Sequence, residues 1–225
     1  MSNKIEKIDQ NIPSYLKEYE AVGEDDLSSD IMQGSYLQIA HENRDGINAG
    51  EWFDSVTKEN YGDKVIVTPI KIKKVWRFFN SKERKLEKIS NDGQYWDNGD
   101  KLTPDEKWRN LNIDIFVLIN NNPDMPVIVS FKNTSSKSGK QFVTTISRNI
   151  KTRRESIFAR NYTLFGVKHG EGSSAYYVMN FQMNPGFNDN EIAEISNKYR
   201  NLLLQNPGQA ESEYPTDDLT SEGID

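Results

Sequence analysis

The chain has 225 residues, enough for one sizeable core, a low mean hydropathy of −0.77 and a net charge of −6. It contains no cysteine, which excludes disulfides, thiolate metal sites and a cysteine nucleophile. No apolar run approaches the ~20 residues that span a bilayer, and the N-terminus has no apolar signal core. The sequence therefore predicts a soluble cytoplasmic protein with no membrane contact, in the host cytoplasm if the protein is viral.

Charge is unevenly distributed along the chain. Residues 1–30 carry eight acids and three bases, and residues 205–225 carry six acids and no base, which leaves a charge of +5 for residues 31–204. We therefore expect a flexible acidic segment at 1–30, a folded body at 31–205 and a disordered acidic tail at 206–225.

The first two predicted strands cover Tyr36 to Ile39 and Glu51 to Val56, with a glycine-containing turn between them. The longest strand signal covers residues 63–79, where apolar and polar side chains alternate. Within it, Pro69 predicts an edge position or a bulge, and the Lys73-Lys74 pair predicts a second bulge.

Residues 80–107 are charged and rich in turn residues. We interpret them as an insertion or long hairpin that carries Tyr95 and Trp96. A β-hairpin follows, with strands at Ile113 to Ile119 and Val127 to Phe131.

From Ser138 to Glu155 the spacing of apolar residues changes from that of a strand to that of a helix. Phe142, Ile146 and Ile150 form one apolar stripe on this helix. Two strands follow, at 162–167 and 175–183. A C-terminal helix at 188–204 is expected to be capped by Asn188 or Asp189.

This order of elements predicts a mostly β fold with helices, of the α+β class. A five-stranded barrel of the oligonucleotide-binding kind places a helix between its third and fourth strands, where the 138–155 helix would lie. Other α+β folds share this order.

Catalytic and metal-binding patterns are missing from the sequence. His41 and His169 are isolated, and we interpret both as ordinary polar or loop residues. A nuclease alternative remains in which Asp114 and Lys132 would act on a metal-bound phosphate, but Ser130 occupies the position of the second acid that such a site needs. The sequence predicts no enzyme, no cofactor and no metal.

The strongest functional signal is the run from Phe131 to Arg154, which holds seven lysines and arginines and no acid. A second basic stretch, near residues 71–79, is interleaved with aromatics. Phosphates attract the cations and exposed bases stack on flat rings, so the pattern favours single-stranded nucleic acid. The predicted binding residues are Lys71, Lys73, Lys74, Trp76, Arg77, Phe79, Tyr95, Trp96, Lys132, Lys137, Lys140, Arg148, Lys151, Arg153, Arg154 and Tyr162.

A simpler interpretation applies to each residue separately. The aromatics belong to a core, single lysines belong to a solvated face, and the acidic tail keeps the protein soluble. An acid-free run of seven bases is explained less well in this way.

The stretch Val127 to Lys140 resembles the strand-then-helix segment of bacteriophage single-stranded DNA-binding proteins, and the segment from Asp30 to Gly50 is similar to their first strand and glycine turn. This resemblance implies an oligonucleotide-binding fold and a protein that coats single-stranded DNA without sequence specificity during replication or recombination. It also implies that the acidic tail contacts replication proteins, although the tail ends at Glu222 to Asp225 without the terminal phenylalanine of such proteins.

The alternative function is a protein-interaction module, such as a phage structural or host-takeover factor, whose basic face binds an acidic protein. RNA as the ligand and assembly into a homo-oligomer stay open at this point.

Overall fold

The computed structural model describes residues 13–17, 35–80, 85–120 and 122–205. Strands alternate with a few helices, so the α+β class is confirmed. The elements are α1 (Ser14–Lys17), β1 (Leu37–Ile39), β2 (Trp52–Asp54), β3 (Asn60–Gly62), β4 (Lys64–Asn80), β5 (Lys85–Ser90), α2 (Pro104–Arg109), β6 (Leu111–Ile119), β7 (Asn122–Phe131), α3 (Ser136–Arg153), β8 (Tyr162–His169), β9 (Tyr176–Met183) and α4 (Asn190–Gln205).

The large sheet is antiparallel and has the strand order β7-β6-β4-β8-β9, with β5 paired to the far end of β4. β4 can serve three partners because it is 17 residues long. Its register shifts between Pro69 and Lys71, which confirms the predicted bulge. The second predicted bulge is wrong, because Lys73 and Lys74 pair with consecutive residues of β6 without a shift.

A small antiparallel sheet of β1, β2 and β3 lies beside the large one. The two meet at the outer edge of β7, where Tyr36 bridges to Ile128 in parallel orientation. The Ile128 N–H donates to the Ser35 carbonyl at 2.8 Å. The edge of β7 is therefore partly covered by the N-terminal part of the body.

α3 packs its apolar stripe into the opening between the two edge strands. Phe142 stacks on Phe181 of β9 with ring centroids 4.5 Å apart, and it meets Phe131 of β7 edge to face at 5.9 Å. A side chain at Gly139 would place its Cβ 2.4 Å from the Cβ of Phe131, so only glycine permits this approach. In the described residues β7 and β9 do not pair, and the sheet stays open with α3 across the gap.

α4 packs against β4 and β7. The Arg200 guanidinium donates to the Ile70 carbonyl at 2.9 Å, and the Lys71 ammonium donates to the Leu203 carbonyl at 3.2 Å. Of the two predicted caps, Asp189 is confirmed, since its carboxylate accepts from the Ile192 N–H. Asn188 is buried instead and donates to the hydroxyl of Thr68 and the carbonyl of Phe158.

The predicted insertion forms a hairpin extension of β4 with β5, followed by a loop and α2. The buried indole of Trp96 meets Phe78 edge to face at 6.4 Å. α2 begins at a capping box, in which Thr103 and Glu106 bond each other's backbone N–H groups. The turn-rich composition does not predict this helix, although Thr103 to Glu106 carries the capping signature.

The predictions for the acidic ends fall largely outside the described residues. Of the segment 1–30, only residues 13–17 are described, and the Tyr15 hydroxyl donates to the Asn188 carbonyl. The predicted tail at 206–225 lies outside the described part altogether.

Candidate functional site

The solvent face of α3 carries a line of cations. Successive spacings of three, eight and three residues place four cations on one side of the helix, opposite the apolar stripe: Lys137, Lys140, Arg148 and Lys151. All four are exposed. We call these four residues the basic stripe; it extends for about 21 Å at 1.5 Å per residue.

The basic stripe is electrostatically uncompensated within the described residues. α3 contains no acid, and no carboxylate of the described chain lies within ion-pair distance of these four cations. Some cations elsewhere in the described chain do form ion pairs, among them Arg160 with Glu155 at 2.7 Å and Lys88 with Asp100 at 3.1 Å. Within the described residues, the positive field of the stripe is therefore not offset by a paired acid.

Further predicted cations lie at the two ends of α3. Arg154 is exposed and ends the helix in the left-handed conformation, with its N–H donating to the Ile150 carbonyl, while Arg153 is half-buried. Lys132 is exposed just before the helix begins.

Lys74 lies at the same end of the sheet as the start of α3. The strand register aligns Lys74 with Ile113 and Phe131 across β4, β6 and β7. Gly139, in the first turns of α3, rests on the same two apolar residues. The fold thus brings Lys74 and the N-terminal half of the basic stripe to one region, although about 65 residues separate them in sequence.

The other predicted cations of β4 are buried, which corrects their assignment as binding residues. Lys71 is 1% exposed and Lys73 is 4% exposed. Arg77 forms a bidentate pair with Asp114, with Nη2 2.6 Å from Oδ2 and Nη1 3.2 Å from Oδ1. The contact of Lys71 with α4 and the ion pair of Arg77 with Asp114 both join distant segments, and such contacts cannot be read from the local charge pattern.

The predicted aromatics also divide into buried and exposed side chains. Trp96 is 3% exposed, and Tyr162 is buried with its hydroxyl accepting from the Asn149 amide at 3.3 Å. Burial raises the pKa of Tyr162. Neither ring is accessible to a ligand, so both assignments are corrected.

Trp76 is half-buried: its ring packs on Gly93 and its Nε1 donates to the Lys107 carbonyl at 2.9 Å. Phe79 and Tyr95 are 41% and 52% exposed. Two of the predicted stacking rings therefore remain accessible.

Other exposed aromatics were not predicted as site residues. Trp108 is 74% exposed. It lies on α2, a six-residue helix that buries none of its side chains. Tyr176 begins β9 and is exposed, next to the glycine-rich turn that the sequence marks as a hairpin tip. No local charge pattern singles out either residue.

The nuclease alternative depended on Asp114. Its carboxylate is buried, paired with Arg77, and accepts from the Ser130 hydroxyl at 2.6 Å. Among the described residues no group of three or more His, Cys, Asp or Glu side chains is arranged to hold a metal ion. The described helices likewise include none with the length and apolar character needed to cross a membrane.

Comparison with known proteins identifies a family. The sequence model of the Pam3 phage gp34-like proteins matches residues 31–205, which include the whole large sheet, α3 and α4. No curated protein and no solved structure matches the chain. The chain thus belongs to the Pam3 phage gp34-like protein family, a family of bacteriophage proteins.

Proposed function

We propose that this phage protein binds single-stranded DNA without sequence specificity through the basic stripe of α3, and takes part in phage DNA replication or recombination. The observation that carries the proposal is the acid-free solvent face of α3, where Lys137, Lys140, Arg148 and Lys151 have no carboxylate partner in the described chain. A row of cations about 21 Å long matches a polyanion better than a small anion.

Exposed rings favour a single strand over a duplex. Base faces are hidden by stacking in double-stranded DNA but are available in a single strand, where each stacked base contributes roughly 1–3 kcal/mol. Phe79 and Tyr95 are accessible, and Phe79 lies on the same strand as the exposed Lys74. Proteins that bind single strands without sequence preference combine such cations with such exposed rings.

The connectivity of the sheet supports an oligonucleotide-binding fold. Counting β4, β6, β7, β8 and β9 as strands one to five gives the spatial order 3-2-1-4-5, with α3 between the third and fourth strands. This is the strand order of oligonucleotide-binding barrels. One difference is that β7 and β9 stay apart, with α3 filling the gap between them.

The proposed binding surface differs from the usual one of that fold. Oligonucleotide-binding barrels commonly use the outer face of strands two and three. Here α4 packs on the sheet and the cations Lys71 and Arg200 are bonded to the backbone across that interface. For this reason we place the ligand on α3.

The direct test is a salt titration of binding to labelled oligo-dT, an RNA of the same length and a duplex. Affinity for the single strand should fall by about 0.7 log units per log unit of salt for each phosphate neutralised. The single strand should also bind more tightly than the duplex. Affinity that does not depend on salt, or an equal preference for the duplex, would contradict the proposal; tighter RNA binding would change the ligand to RNA.

A second candidate is a module that binds an acidic protein of the phage or host. The same uncompensated stripe favours it, because α3 itself presents no exposed ring beside its cations. Competition separates the two functions: polyglutamate should displace oligo-dT only weakly if nucleic acid is the ligand. Capture of one acidic protein, with no binding to oligo-dT, would support the second function.

A further inference from the structure

The tip of the β8–β9 hairpin carries a stacked pair of exposed rings. His169 and Tyr176 are cross-strand partners, with centroids 5.6 Å apart and planes inclined by 18°. Tyr176 is 40% exposed, and the neighbouring Lys168 is also exposed. An accessible flat ring beside a cation offers a nucleotide both stacking and charge.

The loop between β1 and β2 lies against the same hairpin. The Tyr177 N–H donates to Nδ1 of His41 at 3.2 Å. Gly50 touches the ring of Tyr177, since a Cβ at this position would lie 2.7 Å from Cε1. The loop and the hairpin therefore form one continuous surface, which adds Arg44 to the cations of the tip.

Lys132 connects this surface to α3. Burial, and next the charge of the nearby Lys132, lowers the pKa of His41. Three residues further on, the Ser135 hydroxyl accepts from the Met179 N–H of β9 at 3.0 Å. Met179 is three residues from Tyr176, about 10 Å along an extended strand.

Both signs of charge occur in this region. Glu42, Asp45 and Glu51 belong to the same loop as Arg44, and Glu171 lies in the hairpin turn. The surface is therefore mixed in charge, and the exposed ring of Tyr176 beside Lys168 is what distinguishes it from the basic stripe.

We infer that this hairpin surface, formed by Arg44, Lys132, Lys168 and the His169–Tyr176 pair, is a second contact for single-stranded nucleic acid. Tyr176 stacks on a base while the cations contact the flanking phosphates. The inference rests on the proposed function and adds to it a base-stacking site outside the basic stripe. Of its residues, only Lys132 belongs to the predicted binding set.

The test compares Tyr176→Ala with Tyr176→Phe and with Met125→Ala, a control that removes an exposed apolar side chain from β7. Binding is measured by fluorescence anisotropy with oligo-dT and with an abasic strand of equal length and charge. Tyr176→Ala should weaken oligo-dT binding roughly five- to hundredfold. Tyr176→Phe and Met125→Ala should bind like the wild type.

Two readouts distinguish stacking from a loss of charge or of fold. The salt dependence of Tyr176→Ala should equal that of the wild type, because no phosphate contact is removed, and both proteins should bind the abasic strand equally. Equal oligo-dT affinity of Tyr176→Ala and wild type would overturn the inference while leaving the proposed function intact. A wild-type protein that binds no oligonucleotide would overturn both.

Discussion

Arg77 of β4 and Asp114 of β6 form a bidentate ion pair, with their side chains 9% and 1% exposed. Ser130, on the next strand, donates its hydroxyl to the same carboxylate. Three strands are thus joined by one buried carboxylate. Asp114, the acid of the nuclease alternative, and Arg77, a predicted phosphate contact, therefore both have a structural role in the sheet.

Replacing Asp114 by asparagine should destabilise the protein by about 3–5 kcal/mol, because the buried Arg77 guanidinium loses its counter-charge. Urea unfolding measures the change. Asp100→Asn is the matched control, since its pair with Lys88 is exposed and should contribute little. Equal small losses for both variants would mean that the Arg77–Asp114 pair has no stabilising role.

Neutralising the basic stripe should weaken DNA binding without unfolding the protein. K137Q/K140Q/K151Q should lower oligo-dT affinity roughly 10- to 100-fold near 0.15 M salt, and reduce the salt slope by about 2. K58Q/K64Q/K198Q removes the same charge from exposed positions elsewhere. If both triple variants lose affinity equally, net charge and not the stripe governs binding.

The acidic tail should compete with DNA for the cations. Residues 207–225 carry six acids and no base, so their deletion should tighten oligo-dT binding at low salt. The gain should fade as salt screens the charges. A full-length variant with the six acids changed to amides serves as the control and should show the same gain. Unchanged affinity in both variants would leave solubility as the role of the tail.

Gly139→Ala should lower the melting temperature, although alanine favours a helix by up to ~1 kcal/mol over glycine. The added Cβ would lie 2.4 Å from Phe131, and overpacking of this kind costs about 1–3 kcal/mol. Gln141→Ala, on the exposed side of α3, should change stability little. A more stable Gly139→Ala variant would show that α3 can shift away from the sheet.

Stability should decrease as the pH falls below about 6.5. Burial, and then the charges of Lys132 and Arg44, lower the pKa of His41 from 6.5, with Glu42 opposing them. Since the unfolded state takes up the proton first, the contribution is complete above pH 6.5 and is lost as the pH falls through the lower folded value.

His41→Asn keeps an acceptor for the Tyr177 N–H but cannot be protonated. Between about pH 7.5 and pH 5 its melting temperature should therefore fall less than that of the wild type. Identical pH profiles would contradict a role for His41 in acid sensitivity, and His169→Asn controls for the loss of a histidine.

Local patterns in the sequence determined the helix α3, its apolar stripe and its acid-free opposite face. Helix geometry fixes the angle of each side chain, so the spacing of Phe142, Ile146 and Ile150 is sufficient to place Lys140 and Arg148 on the solvent side. The strands around the Pro69 bulge and the Asp189 cap followed from equally local signals.

The tertiary structure alone decided which of the other cations and rings are accessible. α4, about 130 residues away in sequence, bonds to β4 at Ile70 and Lys71. The hairpin surface assembles Arg44, Lys132 and Tyr176 from three distant segments, with His41 linking the first of them to β9. Burial depends on these long-range contacts. The local pattern of charge or hydrophobicity in a segment does not indicate which distant segment will pack against it.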